Sequence, residues 1–282
     1  LIIIYNISSK LYGGKYMGQI IAFSNQKGGV GKTTTCVNMS TYLALMGKKV
    51  LLVDIDPQGN ATTGFGQKKS RDVKSIYDVI MGNLEPQDGI FKTAIEGLDI
   101  MPATIDLAGV EVEMVYLENR EFRLKDAFNK IRNSYDYITI DCPPSLGLLT
   151  VNAFSAADSV VIPIQCEFFA LEGLSQLMNT ILKVKKKGLN PNLEIDGVVL
   201  TMKDNRSNLG RLVAEEINKY FKDKVFKTTI PKNVRLAESP SFGMPDYLYD
   251  KNCAGAKAYH DLTVEFLERK GDKFKPIKKE AK

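Results

Sequence analysis

Residues 27–34 read Lys-Gly-Gly-Val-Gly-Lys-Thr-Thr. Glycines let a backbone turn so that successive N–H groups face an anion, a lysine can span terminal phosphates, and a hydroxyl can hold magnesium. Lys27, Gly28, Gly29, Val30, Gly31, Lys32, Thr33 and Thr34 therefore form a candidate cradle for a polyphosphate with its Mg2+. The ordinary phosphate-loop pattern asks for glycine five positions before Gly31, where this chain has Gln26. In its place a second lysine, Lys27, stands beside the glycine pair. A glycine-rich turn with accidental lysines is the bland alternative. The strand expected before the segment and the helix expected after it weigh against that.

Two further segments end apolar runs in acids, Val53-Asp54-Ile55-Asp56-Pro57-Gln58 and Ile138-Thr139-Ile140-Asp141-Cys142. A magnesium nucleotide needs an acid near the metal and a polar group that orients the attacking water. Asp141 fits the first role and Asp56 the second, while Asp54 reads as structural or as a supporting partner. Alone, each acid could cap a helix or sit in a turn. Joined to a phosphate loop, they read as parts of one phosphoryl-transfer site.

The elements that must position these groups follow from periodicity. Short β-branched runs at 20–24, 50–54, 98–102, 137–141, 159–164, 197–202 and 224–230 alternate with amphipathic stretches at 33–46, 124–132, 168–187, 208–221 and 254–269. That alternation predicts an α/β fold, a mostly parallel twisted sheet with helices on both faces. Several runs are apolar without alternation, as strands covered on both sides are. The acids and the glycine loop then fall at strand carboxyl ends, where open α/β sheets bind ligands.

The 282 residues carry a net charge of +5, of which residues 1–16 hold +2 and residues 271–282 hold +3. The body is neutral, so any affinity for nucleic acid must come from a local patch. Residues 203–235 supply one, with nine basic and four acidic side chains. Cys36, Cys142, Cys166 and Cys253 lack the spacing of a zinc or redox motif and read as buried or inert thiols. No apolar run reaches the ~20 residues of a membrane span. Gly13-Gly14-Lys15-Tyr16-Met17 fits in-frame translation of a purine-rich ribosome-binding sequence, which makes residues 1–16 an expected non-native or disordered extension. Residues 17–270 read as one domain and 271–282 as a basic, disordered tail.

Together with Gln165-Cys166-Glu167-Phe168-Phe169-Ala170-Leu171-Glu172-Gly173 and Ile230-Pro231-Lys232-Asn233-Val234-Arg235, these segments resemble the ParA/Soj chromosome-partitioning ATPases, whose phosphate loop has the deviant Walker A form. The resemblance runs from about Met17 to the end of the last helix. It implies a slow, partner-stimulated ATPase using ATP and Mg2+, cytoplasmic and nucleoid-associated. Lys27 would reach the partner's phosphates across an ATP-sandwich homodimer, with Gly28 at the dimer contact. Lys32 would hold the phosphates of its own subunit. Thr33, Asp56 and Asp141 would surround the metal, with Asp56 also positioning water, and Gln58, Met202, Pro231 and Asn233 would line the nucleotide. Arg206, Lys232 and Arg235 would hold double-stranded DNA without sequence preference. A ParB/Spo0J-like centromere-binding protein would stimulate hydrolysis. Phe242, where a histidine is expected, and Asp246, an acid in a usually apolar stretch, depart from the pattern. A membrane-bound positioning ATPase of the MinD type is the nearest rival. Its amphipathic anchor would have to come from 273–279, where only Phe274 and Ile277 are apolar. A nitrogenase-reductase-like carrier would need paired cysteines for a cluster.

Overall fold

The computed structural model of this chain describes residues 17–167, 170–203 and 208–277. The expected N-terminal extension, Phe168, Phe169, Arg206 and residues 278–282 lie outside them. The described strands are β1 (Gln19–Phe23), β2 (Val50–Asp54), β3 (Phe91–Lys92), β4 (Leu98–Met101), β5 (Tyr137–Asp141), β6 (Ser159–Gln165) and β7 (Glu194–Thr201). They form one sheet in the order β3-β4-β2-β5-β1-β6-β7. Every pairing is parallel except that of β3 with β4.

Helices α1 (Lys32–Leu45), α2 (Asn60–Gly64), α3 (Ile76–Met81), α4 (Leu107–Glu113), α5 (Arg123–Ile131), α6 (Leu148–Ala156), α7 (Ala170–Lys186), α8 (Asn208–Phe221), α9 (Val234–Glu238), α10 (Asp246–Asp250) and α11 (Ala254–Lys270) cover the sheet. Alternating strand residues feed two cores. Ile20, Ala22, Leu51, Val53, Ile138 and Ile140 pack beneath α3 to α8. Ile21, Phe23, Val50, Leu52 and Tyr137 pack against α1 and α11. β2 and β5 are buried at every position, so their unbroken apolar runs are the signature of a strand covered on both faces. In α1, Cys36 and Leu43 have no exposed surface and Met39 only 1%. Burying a side chain such as Leu43 stabilises the fold by about 1.5–3 kcal/mol. This helix therefore holds the loop before it against a firm base.

Two expectations are corrected. Residues 224–230 do not form a strand, although Val225, Phe226, Thr228 and Ile230 suit one. Val225 makes a single parallel bridge to Val198. Beyond it, the N–H groups of Lys227 and Thr228 donate to the two carboxylate oxygens of Glu265 on α11, each at 2.9 Å. Phe226 and Ile230 N–H groups still donate to the Val198 and Leu200 carbonyls of β7 at 2.9 Å each, but the Thr228 donor between them is taken by a distant side chain. Phe226 folds over β7 at Gly197, where a Cβ would come within 2.3 Å of the ring. The tail, expected to be disordered from residue 271, is docked through residue 277. Lys275 N–H donates to the Met46 carbonyl at 3.0 Å, and Phe274 and Ile277 pack against the α1–α11 core. The two apolar side chains weighed as a membrane anchor are spent on that packing.

Candidate nucleotide site

The phosphate loop occupies the turn between β1 and α1, and its neighbours pin it on two sides. Asn25 Nδ2 donates to the Pro163 carbonyl at 2.8 Å while its Oδ1 accepts the Lys27 N–H at 3.0 Å. Thr201 Oγ1, at the end of β7, donates to the Val30 carbonyl at 2.8 Å. Gly29 and Gly31 adopt φ of 74° and 81°, the left-handed region that glycine enters without strain. Gly28 differs. Its φ is not positive, and a Cβ built there meets nothing within 4 Å. Nothing within the described chain requires glycine at that position.

Lys32 is 6% exposed, and its ammonium donates to the Lys27 carbonyl across the loop at 3.3 Å. Burial lowers its pKa, against the opposing pull of Asp141 and Asp56. Those acids arrive on adjacent strand ends, since Asp54 and Asp141 face each other in the β2–β5 register. Asp54 is structural. It accepts the Thr62 N–H and hydroxyl at 2.7 Å each and the Asp56 N–H at 3.1 Å, and burial raises its pKa to about 6. It thereby fixes the turn that presents Asp56. Asp56 is itself buried, with Oδ1 accepting the Gln58 N–H at 2.9 Å.

Asp141 is fully buried and neither carboxylate oxygen has a hydrogen-bond partner among the described residues. Burial drives its pKa well up, Asp54 adds to the rise, and Thr33 and Lys32 stand near enough to ease it without supplying a partner. An orphaned buried anion is expensive unless something positive or hydrogen-bonding completes it. A hydrated Mg2+ would do so, because it prefers oxygen ligands and keeps several waters and substrate phosphates in its shell. The residues present fit that ion. Among the described residues no three His, Cys, Asp or Glu side chains gather into a self-sufficient metal site, and a magnesium nucleotide does not need one.

Beyond the loop, a cavity of about 410 Å³ extends from Gly31 and Thr34 to Met202, Pro231 and Asn233. The structure thus brings together the three residues assigned to the base. Sequence reasoning missed Leu236 of α9 and Tyr259 of α11, which line the same cavity. No spacing announces them, since they reach it from separate helices; Tyr259 is set there by its hydroxyl contact with Thr35 Oγ1 at 3.1 Å. Met202 has φ of 49°, a conformation that costs a non-glycine residue on the order of 1 kcal/mol. The next residue is held by Lys203 N–H donating to the Ile230 carbonyl at 3.0 Å, which fixes the bend. Gln58 is exposed and does not line this cavity.

The remaining predicted residues lie on the rim. Lys27 turns toward its own subunit, with its ammonium 2.6 Å from Glu167 Oε2. The two side chains are 29% and 51% exposed, so the pair is weak and readily released. Lys232 is exposed at the cavity mouth and forms no ion pair with another described residue. Arg235 is exposed but engaged, with Glu238 at 3.0 Å, Asp250 at 3.6 Å and the Tyr249 ring beneath it. Arg206 lies outside the described residues.

A glycine loop between the first strand and helix of a parallel sheet, with acids at the carboxyl ends of two neighbouring strands, defines an α/β P-loop protein. Comparison with known proteins narrows the class. A family described as an AAA domain matches residues 18–195. The sporulation initiation inhibitor protein Soj of Bacillus subtilis is 59% identical over 249 residues, covering 88% of this chain and 98% of that one. The chromosome partitioning protein ParA of Caulobacter vibrioides is 52% identical over 257 residues, covering 90% and 96%. Among solved structures, a cobyrinic acid a,c-diamide synthase of Mycobacterium smegmatis with a bound ATP analogue and magnesium superposes with a TM-score of 0.77 at 34% identity, covering 93% and 100%. The chain belongs to the Soj/ParA family of chromosome-partitioning proteins.

Proposed function

We propose that this chain is an ATP-hydrolysing switch for chromosome or plasmid partitioning, which dimerises around ATP, binds DNA without sequence preference in that state and releases it on hydrolysis. The observation that carries the reading is the join between a pinned phosphate loop and a base-sized cavity, beside a buried carboxylate that lacks a partner. Lys32 and the loop N–H groups would bind the phosphates, and the cavity would take adenine. Mg2+ at Thr33 and, through water, at Asp141 would neutralise charge on the transferred phosphoryl group. Asp56, fixed through Asp54 and Thr62, would orient water in line with the leaving group.

Dimerisation is supported by what one subunit leaves unexplained. Gly28 has no reason within its own chain to lack a side chain, and a close approach by a second subunit supplies one. Lys27 would exchange Glu167 for the partner's phosphates. DNA binding by Lys232, Arg235 and Arg206 would double in a dimer, and phosphate contacts add in free energy, so affinity would rise steeply with dimerisation and fall steeply with salt. A ParB/Spo0J-like partner would stimulate hydrolysis and reset the switch. The test is binding to nonspecific duplex DNA at two salt concentrations, with ADP, with ATP and Mg2+, and for Asp56→Ala with ATP, light scattering reporting the mass. A salt-sensitive complex formed only by the ATP dimer, and locked by Asp56→Ala, supports the reading. A dimer indifferent to DNA removes the cargo half of it.

A further inference from the structure

Outside the phosphate site, Asp246 is the most deeply buried acid among the described residues, 1% exposed at the start of α10. Its Oδ1 accepts the Ser239 hydroxyl at 2.7 Å, while Oδ2 has neither a partner nor exposed surface. Its backbone N–H donates to Asn38 Oδ1 at 3.0 Å, and Asn38 Nδ2 donates in turn to the Thr34 carbonyl at 3.0 Å. Thr34 lines the base-sized cavity on the α1 side, and Ser239 directly follows α9, whose Leu236 lines the other side. One residue therefore ties the two walls of the cavity together. The same loop also touches α2, for a Cβ on Gly243 would lie 3.0 Å from Gly66 Cα and 3.4 Å from the Thr63 carbonyl. Thr62, next in line, is the residue that holds Asp54.

Burial is the chief influence on the Asp246 carboxyl and lifts its pKa to about 6, with the Ser239 hydrogen bond opposing the rise. The ionisable groups that face it from the packed helices are phenols, Tyr42 of α1 and Tyr259 of α11, and neither offers a positive charge. Tyr247 and the single histidine, His260, are one ring further out, each edge-on to Tyr42.

We propose that Asp246 is a positioning residue of the nucleotide pocket and that filling the pocket draws a proton onto it, so that nucleotide affinity strengthens as pH falls. The proposal rests on the cavity being the adenine site. The phosphates of a bound nucleotide bring negative charge to the end of α1 that Asn38 connects to Asp246. That raises the cost of a bare anion at Oδ2, which is already shut off from solvent. The carboxyl then releases its proton at a higher pH when the pocket is full than when it is empty. Between those two values affinity declines as pH rises, and above both it is flat.

Calorimetric titration of the full chain with ADP and Mg2+, from pH 5.5 to 8.5 in two buffers of different ionisation heat, tests this against Asp246→Asn. We expect wild-type affinity to weaken about fivefold more than that of the variant between pH 6 and 8, with proton uptake in the wild type in excess of the variant's. ADP titrates alike in both proteins, so only the difference counts. Where Asp246→Asn fails to fold, Ser239→Ala removes the hydrogen bond that restrains the shift, and the uptake should move to higher pH. Equal uptake in wild type and Asp246→Asn, or an unmoved profile in Ser239→Ala, overturns the proposal and leaves nucleotide binding intact. Failure of the wild type to bind ADP at any pH sinks both readings.

Discussion

The phosphate end and the base end of this site are built by different means. At the phosphate end, charged groups are buried and Asp141 has no hydrogen-bond partner among the described residues: Lys32 is held below its ordinary pKa, Asp141 well above, Asp54 near 6. They sit on strand ends and a helix start that cannot yield. At the base end, residues 201–203 and 230–237 make a cavity largely from loop backbone and a short helix, with exposed cations at its mouth. The first arrangement is poised to be completed by a magnesium nucleotide, whereas the second offers shape rather than buried charge.

The comparison breaks most visibly at Lys32. Because burial lowers its pKa, the protonated lysine costs the unliganded protein stability at neutral pH. Lys32→Met is therefore expected to unfold at the same temperature as wild type or higher without ligand, yet to lose the stabilisation that ATP and Mg2+ confer and about 100-fold or more of turnover. Differential scanning fluorimetry with and without nucleotide checks both halves. A variant that is less stable without ligand would show that Lys32 supports the fold.

Gly28 divides the functions more cleanly. Its open surroundings predict that Gly28→Val keeps the unfolding temperature and ADP affinity of wild type while losing the ATP-dependent dimer, as followed by light scattering. A variant that still dimerises would leave the glycine without a reason. Asp141→Asn comes next, with about a tenfold to hundredfold loss of Mg2+-dependent nucleotide affinity. It also carries a pH signature. Asp141 has a raised pKa when folded, so ionising it costs stability as pH climbs from the ordinary carboxylate value toward the raised one. Wild-type stability without ligand should decline over that range more steeply than that of Asp141→Asn, and Asp54 and Asp246 leave a smaller decline in both. Parallel pH profiles would mean that Asp141 is satisfied in solution.

How far each half was legible follows from the same division. That Lys32, Thr33, Asp56 and Asp141 fall together at one edge of the sheet could be read from the chain, because the glycine loop and the acids follow strands that are themselves apolar runs. The segment 224–230 was misread because its propensity is local, whereas the carboxylate that diverts the Lys227 and Thr228 N–H groups comes from Glu265, on a helix that begins almost thirty residues later. Leu236 and Tyr259 left no sequence signal, since a cavity wall needs only shape. The contact of Lys27 with Glu167 spans 140 residues, although both belong to segments that the family resemblance singled out. Asp246 was visible as a departure, but its role depends on Asn38, which no pattern marks.

The smallest effects distinguish residues within the proposed DNA face. Lys232 and Arg235 carry the same charge three residues apart, and the sequence offers no reason to rank them. The structure does, because Arg235 already has Glu238, Asp250 and the Tyr249 ring, while Lys232 pairs with no described acid. A phosphate gains a full counterion from Lys232 but must compete for Arg235. Lys232→Ala is expected to reduce the slope of log affinity against log salt by about 1 for the ATP-bound dimer. Arg235→Ala should change it less, with part of its loss appearing instead as looser packing of α9 on α10. Fluorescence anisotropy across a salt series measures the slopes, and proteolysis of the unliganded chain reports the packing. If Arg235→Ala proves the more salt-sensitive of the two, then DNA strips Glu238 and Asp250 from the guanidinium, and the face rearranges on binding.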